Sequence, residues 1–370
     1  MRYCKKCLMP DTRPRVVFDE NGVCNACHYT ENMKNKLIDW QERENELKAL
    51  LDVHRRKDGY WDCIIPWSGG KDSTANAIKL KTEYGMNPLL VTFNPLMPTE
   101  VGEYNRRILI EYGFDTMYVS SNVNVTRYLA RRFFVERGNP KVLWDAGANC
   151  SLVRMATNYK IPLVFYSEHG ETEYGGNKLS DKSDMIRDLS EVLENIIGDD
   201  PRNWVDDIVS EKDLNHYIYP NIEDVQQAGT KVVYMSYFFK WDQWVNYEYV
   251  KRHINFRDNP CGRTEGTFTK HDSLDDKIDD LYYYMQYVKF GFGRAVRDVS
   301  RMIQNGHMSR EEGLELCTKY DGEFPQRYFG EVLEYLNLSE SEFYDIVDKH
   351  RNKELWVKDQ GRWKLRNPLV

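Results

Sequence analysis

Residues 62–74 read DCIIPWSGGKDST: an apolar run over 63–67 stops at two glycines, then come a lysine, an aspartate and two hydroxyl side chains. That composition suits a strand that hands over directly to a helix beginning near Asp72. At such a junction the backbone N–H groups of Gly69, Gly70 and Lys71 are unpaired and point outward. The helix dipole adds positive potential there, about 0.3–1 kcal/mol per anionic charge and up to about 2 when partly buried. Ser68, Ser73 and Thr74 supply further donors. Together these residues can cradle phosphate oxygens. The spacing is not that of a Walker A loop, because Ile65 and Asp72 stand where that loop requires glycine and a serine or threonine. An aspartate facing a polyphosphate works through a cation. Asp72 is therefore a candidate Mg2+ ligand, directly or through water, and Lys71 would neutralise phosphate charge.

A second constellation lies at the front of the chain. Cys4 and Cys7 form one C-x-x-C, and Cys24 and Cys27 form another. Two such knuckles at this separation suit a tetrahedral Cys4 zinc site, which is closed and hence structural. An iron–sulfur cluster or an empty redox pair are the lesser alternatives. Asn21-Gly22 reads as a tight turn in a short hairpin between the pairs, and His28 as a second-shell or exposed histidine. Farther on, SEHGETEYGG groups Glu168, Glu171 and Glu173 around Gly170, against the bland reading of a solvated acidic loop. Cys150 stands alone in AGANCSLVRM, with Cys261 its only plausible distant mate; a buried structural cysteine is the better reading.

The elements that must position these groups follow from periodicity. Residues 30–57 lack proline and glycine until the end of the segment and read as one helix linking the cysteine knuckle to the main body. Strands at 63–67, 88–93, 116–119 and 161–166 then alternate with helices at 73–84, 100–112, 123–136 and 147–159. Continuous apolar strands between helices indicate a parallel, doubly wound sheet buried on both faces, with ligands at the carboxyl ends of its strands. Residues 175–230 are charged and irregular, one more strand falls at 231–236, and from Asp272 the chain reads as helices. Ser309 to Glu312 and Ser339 to Glu342 are capping boxes. The expected α/β organisation is a knuckle over 1–30, a linking helix over 31–58, an ATP-binding α/β domain over 59–260 and a helical substrate or partner region over 261–370. Aromatics crowd residues 217–287 and read as core rather than a sugar-stacking surface. A formal charge of −7 argues against a broad nucleic-acid footprint. No apolar stretch suffices to span a bilayer and the N-terminus lacks a signal-peptide core, so a cytoplasmic protein is expected.

Ser-Gly-Gly-Lys-Asp-Ser at a strand–helix junction resembles the PP-loop of the N-type ATP pyrophosphatases, which include GMP, NAD and asparagine synthetases and the tRNA thiolases. The resemblance implies that ATP is cleaved between its α and β phosphates, that AMP is placed on a substrate oxygen, and that a nucleophile displaces it. It also implies that the backbone of Thr92-Phe93-Asn94 reads adenine, and that Gly170 and Glu171 contact AMP and metal. Sulfur and nitrogen are the candidate nucleophiles. A tRNA or small-molecule sulfurtransferase remains the alternative, but an isolated Cys150 and an anionic chain favour nitrogen. No cysteine follows the initiator Met and no Gly-x-Cys-x-Gly glutaminase elbow appears.

The layout YCKKCLMPDTRPRVVFDENGVCNAC, DCIIPWSGGKDS, SEHGETEYGG and GTFTKHD resembles the N-acetyl sugar amidotransferases of bacterial surface-polysaccharide synthesis over nearly the whole chain. That family turns a sugar's N-acetyl group into an acetamidino group, with ammonia from a separate glutaminase of the imidazole-glycerol-phosphate synthase type, with or without its cyclase-like companion. The resemblance implies ATP, Mg2+ and structural Zn2+ as cofactors, an N-acetylated sugar nucleotide as substrate, and neither nucleic acid nor membrane as partner. Lys71, Lys270 and Arg154 would hold phosphate charge, Asp72 and Glu171 would hold Mg2+, and His271 or His169 would relay a proton, against an ordinary exposed or core histidine at each position. Arg263, Thr267, Lys270 and His271 would face substrate, against an ordinary helix start capped by Thr269 or Asp272. ARRFFVERG could meet an anionic sugar nucleotide, but a solvated helix face is the commoner outcome.

Overall fold

Five short strands pair side by side, largely apolar in the middle of the sheet and partly polar at its edges: β1 (Cys63–Pro66), β2 (Pro88–Phe93), β3 (Asp115–Val119), β4 (Leu163–Tyr166) and β5 (Lys231–Tyr234). They form one parallel sheet in the order β3-β2-β1-β4-β5, with Ile65 opposite Leu90 and Ile64 opposite Val164. The computed structural model describes residues 1–175, 185–187 and 192–369.

The two faces of the sheet are covered by different elements, as the two-residue period of a strand requires. Cys63, Ile65, Leu90 and Phe165 point to one face, against α1 (Trp40–His54), α2 (Lys71–Thr82), α3 (Glu100–Glu111) and, from farther along the chain, Gln243–His253. Ile64, Leu89, Val91 and Val164 point to the other, against α4 (Val123–Arg137) and α5 (Val142–Asn158). That second core continues into the C-terminal helices. With α6 (Gln243–His253) already placed, these are α7 (Asp279–Phe290), α8 (Arg294–Gln304), α9 (Arg310–Tyr320), α10 (Phe329–Leu336) and α11 (Glu340–His350), of which α7, α10 and α11 contribute to that core. A third, smaller core joins the four N-terminal cysteines to Val296 and Val299 of α8 and to Cys317 of α9. Among the described residues no helix is long and apolar enough to cross a membrane.

Several boundaries differ from the periodicity. The helix expected over 30–57 is two: a wide-turn helix over Tyr29–Leu37, then α1. Asp39 makes the break, its carboxylate accepting from the N–H groups of Gln41 and Glu42 at 3.0 and 3.1 Å as an N-cap. Burial of Lys34, which meets Glu173 at 2.8 Å, fixes the first piece. Residues 272–278 are turns and α7 begins only at Asp279. An antiparallel hairpin of β6 (Trp356–Asp359) and β7 (Arg362–Leu365) closes the chain; Gln360 and Gly361 at its tip both have positive φ, 47° and 81°. Both expected capping boxes form, and Tyr217, Phe238, Tyr247 and Phe256 are core residues.

Candidate active site

The junction after β1 is tighter than the sequence suggests. Gly70 caps α2, so the helix starts at Lys71, and its first N–H groups are those of Lys71, Asp72 and Ser73. The Trp67 indole donates to Thr74 Oγ1 at 3.1 Å and ties the loop to the first turn of α2. Thr74 is thereby buried and spoken for, and is not part of the cavity wall. Gly69 has φ +91°, and a Cβ there would lie 2.8 Å from Arg106 Cγ. Arg106 donates to the Ser68 carbonyl at 3.0 Å, clamping the bend from behind.

In front of the bend lies a cavity of about 480 Å³. Ser68, Gly70, Asp72 and Ser73 form one wall, and Phe93, Gly170 and Glu171 lie on the others. The structure thus gathers seven of the sequence-derived site residues around one space, at the carboxyl ends of β1, β2 and β4. Trp144 and Asn149 of α5 also line it and carried no sequence signal. The Trp144 indole N–H has no hydrogen-bond partner among the described residues and is available to a ligand.

Room for Phe93 depends on Gly147 of α5. A Cβ at 147 would sit 2.1 Å from Phe93 Cζ and 2.3 and 2.6 Å from the two Cε atoms. Gly147→Ala should cost about 1–3 kcal/mol of stability by overpacking and push the ring into the cavity. Thermal melting and binding of a non-hydrolysable ATP analogue should both register the change, and Phe93→Leu in the same background should restore them. Unaltered melting and binding in the single variant would refute this steric account.

Lys71 stands behind the wall. It is buried, and its ammonium donates to Asp72 at 2.9 Å and to Asp272. Burial alone would depress its pKa; Asp272 and then Asp72 overcome this and hold it well above the ordinary lysine value. Asp272 is in turn driven far below the carboxylate range despite its burial, chiefly by Lys71. His271 stacks on Tyr247 at 4.2 Å, with Nε2 3.7 Å from Asp272. Burial lowers its pKa, and its Nδ1 has no partner among the described residues. Asp272, read from sequence only as a cap, is the residue that joins the C-terminal region to the loop.

The acidic wall is also rearranged. Glu171 lines the cavity but is held by two guanidinium nitrogens of Arg15, Nη2 and Nε, the latter at 2.6 Å. Glu168 faces Asp72: burial, and then the Asp72 charge, raise its pKa. Glu168 and Asp72 both line the cavity and act on one another, whereas Glu171 is paired with Arg15, so Glu168 is the carboxylate of this motif left to join Asp72 at a cation. Glu173 is buried on Lys34, and His169 caps the short helix Gly170–Tyr174 through Thr172 N at 3.0 Å. Gly176, the last glycine of that motif, lies outside the described residues.

Other sequence-derived candidates are held away from this space. Arg154 donates to the Ile218 carbonyl at 2.7 Å. Arg263 forms a fork with Glu323, both contacts 2.7 Å. Thr267 is buried and donates to Asp298 at 2.8 Å. Lys270 is half-exposed, 3.4 Å from Asp258. None of the four lines the cavity. Cys150 is buried and its thiol is pushed up to about 12 by that burial; Cys261 is exposed.

The four N-terminal cysteines converge, all Sγ atoms within 4.8 Å of one another. Cys7–Cys24 and Cys4–Cys27 lie at 3.5 and 3.9 Å. A tetrahedron with metal–sulfur bonds of about 2.3 Å has sulfurs about 3.8 Å apart, so the donor set fits a single ion. A cubane cluster would spread the thiolates farther. Backbone N–H groups of Lys6 and Cys24 donate to Cys4 Sγ, and Gln304 of α8 donates to Cys7 Sγ at 3.3 Å.

Residues 265–369, the segment that contains Asp272 and α7 to α11, match the family of the C-terminal domain of WbpG-like LPS biosynthesis proteins. Over that segment the chain is similar to the WbpG-like proteins. That likeness supports a link to lipopolysaccharide biosynthesis and agrees with the amidotransferase resemblance of the motifs. An uncharacterized protein of Methanocaldococcus jannaschii is 24% identical over 119 residues, 32% of this chain and 42% of that relative, so under half of the relative is spanned. A predicted subunit of a tRNA methyltransferase from the same organism aligns at 18% identity and TM-score 0.25, covering 46% of this chain and 76% of the other. The U34-tRNA thiolase NcsA of Methanococcus maripaludis, solved with its 4Fe–4S cluster, aligns at 12% identity and TM-score 0.28, covering 83% and 87%. At those TM-scores neither structural likeness bears on the chemistry.

Proposed function

We propose that this WbpG-like protein is an ATP-dependent, AMP-forming amidotransferase. It converts the N-acetyl group of a sugar, carried as a sugar nucleotide, into an acetamidino group for surface-polysaccharide synthesis. The observation that carries the reading is the phosphate-cradling bend of Ser68 to Ser73, whose Lys71 is gripped by Asp272 from the family-specific C-terminal segment.

The acetyl oxygen attacks the α-phosphorus of ATP, and pyrophosphate leaves. The product is an O-adenylated imidate. Ammonia adds to its carbon, the C–O bond breaks, AMP departs with the former acetyl oxygen, and a proton is lost to give the amidine. An amide oxygen is otherwise a very poor leaving group, so adenylation is the enabling step. The chain contributes positioning and charge stabilisation rather than covalent catalysis. The first N–H groups of α2 and Ser68 hold phosphate oxygens, and Phe93 and Trp144 flank the base. Mg2+ at Asp72 and Glu168 would offset triphosphate charge. His271, whose Nδ1 has no partner among the described residues, would take the proton ammonia gives up. Zn2+ on the four cysteines would be structural. Ammonia would come from a separate glutaminase of the imidazole-glycerol-phosphate synthase type.

The sulfurtransferase alternative needs an accessible thiol at the cavity. Cys150 is buried with a raised pKa and does not line it, which favours nitrogen. The deciding experiment incubates the protein with ATP, Mg2+, ammonium and a panel of N-acetylated sugar nucleotides. A sugar product lighter by about one mass unit, as oxygen is exchanged for NH, with equimolar AMP is expected. ADP formation, or AMP release indifferent to the sugar, would sink the proposal.

A further inference from the structure

Helix α8 carries Arg294, Arg297 and Arg301 at i, i+3 and i+7, one face of a helix. Arg13, from the N-terminal segment, joins them: its basicity is lowered to about 10 by burial and then by the nearby Arg301. Tyr283 lies between two members, 4.2 Å from Arg294 and 4.5 Å from Arg297, and Arg301 covers the Tyr174 ring at 3.6 Å. Against these four cations the described residues offer one carboxylate as an ion-pair partner. Asp298 lies 3.4 Å from Arg294 and 3.9 Å from Arg297, and already accepts from Thr267. Arg13 spends its donors on the carbonyls of Tyr174 and Gly175. The Arg294 side chain is 2% exposed, yet its Nη1 has no hydrogen-bond partner. The Nε atoms of Arg297 and Arg301 are likewise buried and unpartnered among the described residues.

Burying several like charges with unmet donors is costly unless an anion completes them. Glu168, Glu171, Glu173, Asp272 and Asp280 act on these cations at longer range, but the buried Nη1 of Arg294 and Nε of Arg297 and Arg301 stay unmet among the described residues. Arg294 also acts on Asp272, the partner of Lys71. Arg301 holds Tyr174, whose hydroxyl donates to Glu168 at 3.0 Å on the cavity wall. The cationic face therefore begins where the carboxylate wall of the nucleotide cavity ends.

We propose that the arginine face of α8, completed by Arg13, binds the diphosphate of the nucleotide-linked sugar and so presents its N-acetyl group to the Asp72–Glu168 wall. Assigning that diphosphate to the acceptor rests on the amidotransferase reading; the existence of the anion site does not. Guanidinium forks match phosphate oxygens two at a time.

The test measures UDP binding to the full-length, metal-loaded protein by calorimetry, with a non-hydrolysable ATP analogue and Mg2+ at saturation. UDP should bind, more weakly as salt rises. Arg297→Gln with Arg301→Gln should weaken it about tenfold to a hundredfold, while Arg297→Gln alone should leave affinity for the ATP analogue within about threefold. Arg301→Lys, which keeps charge but loses the fork, should fall between wild type and the double variant. Should the double variant melt early, this lysine variant decides the matter. The proposal is overturned if wild type binds no UDP, if the ATP analogue displaces UDP, or if the variants bind UDP as wild type does. Arginine-dependent binding of glucuronic acid without UDP binding would reassign the site to a carboxylate and equally overturn it. If UDP behaves as expected but no N-acetylated sugar drives AMP release, the functional reading falls and the anion site stands. If amidine forms with a sugar-nucleotide KM indifferent to the arginines, the reverse holds.

Discussion

Replacing Lys71 with alanine should lower sugar-dependent AMP release by about a hundred- to a thousandfold, the scale seen when one preorganised charge-stabilising donor is removed. It should also cost about 3–5 kcal/mol of stability, because Asp72 and Asp272 lose the cation that both contact inside the protein. The two losses have different pH signatures. In the wild type, Asp272 is depressed in the folded state, so its contribution is complete above the unfolded carboxylate value of about 3.9 and disappears only as pH falls far into acid. Without Lys71 the burial that opposes this depression prevails, and the folded-state pKa of Asp272 moves above the unfolded one. The folded chain then binds more protons than the unfolded chain, and stability declines as pH rises. The variant's deficit in melting temperature should accordingly be smaller at pH 5 than at pH 8. Asp72→Asn separates the effects: Asn246 donates to Asp72 Oδ1 at 3.1 Å and Lys71 keeps Asp272, so stability should hold while AMP release is lost. A Lys71→Ala protein that turns over normally, or whose deficit is the same at both pH values, would contradict this account of the bend.

What could be read without coordinates was what local pattern encodes. The glycine bend, the paired cysteines and the parallel strands each announce themselves within a few residues, because turn chemistry, ligand spacing and burial on both faces act locally. What could not be read were partnerships across the chain. Asp272 reaches Lys71 over 201 residues and Arg15 reaches Glu171 over 156. The second of these decides which glutamate is left facing Asp72. Within SEHGETEYGG all three glutamates are equivalent by composition; only the fold shows that Lys34 takes Glu173, Arg15 takes Glu171, and Glu168 faces Asp72. The arginine face of α8 carries no motif at all, since basic residues at helical spacing ordinarily mark a solvated face. The break at Asp39 was hidden because a good N-cap inside a polar run looks like any other aspartate.

Exchanging Cys24 for serine should abolish stoichiometric metal binding and lower the melting temperature, and its consequences should reach the acceptor site. Structural zinc in small fingers contributes about 10–16 kcal/mol of apparent binding free energy, all of it unavailable to the unfolded chain. Here the cysteine core is also the platform for α8: Ser300 donates to the Cys7 carbonyl at 2.7 Å, Gln304 donates to Cys7 Sγ, and Val296 and Val299 pack against the knuckle. The arginines lie across that helix from Val296 and Val299, with Gln304 one and two turns along the same face from Arg301 and Arg297. The same N-terminal segment carries Arg13 and Arg15, which hold the Tyr174 carbonyl and Glu171. Loss of the ion should therefore loosen the cationic face and one carboxylate wall together, while β1, β2 and the bend, which rest on the sheet, stay in place. Elemental analysis should find one zinc per wild-type chain and none in Cys24→Ser. Calorimetry on that variant should lose UDP binding before ATP-analogue binding. Full metal content in the variant, or iron with visible absorption in the wild type, would rule out the closed zinc site. Equal loss of both ligands would rule out the division of labour between the sheet and the helix that the cysteines hold.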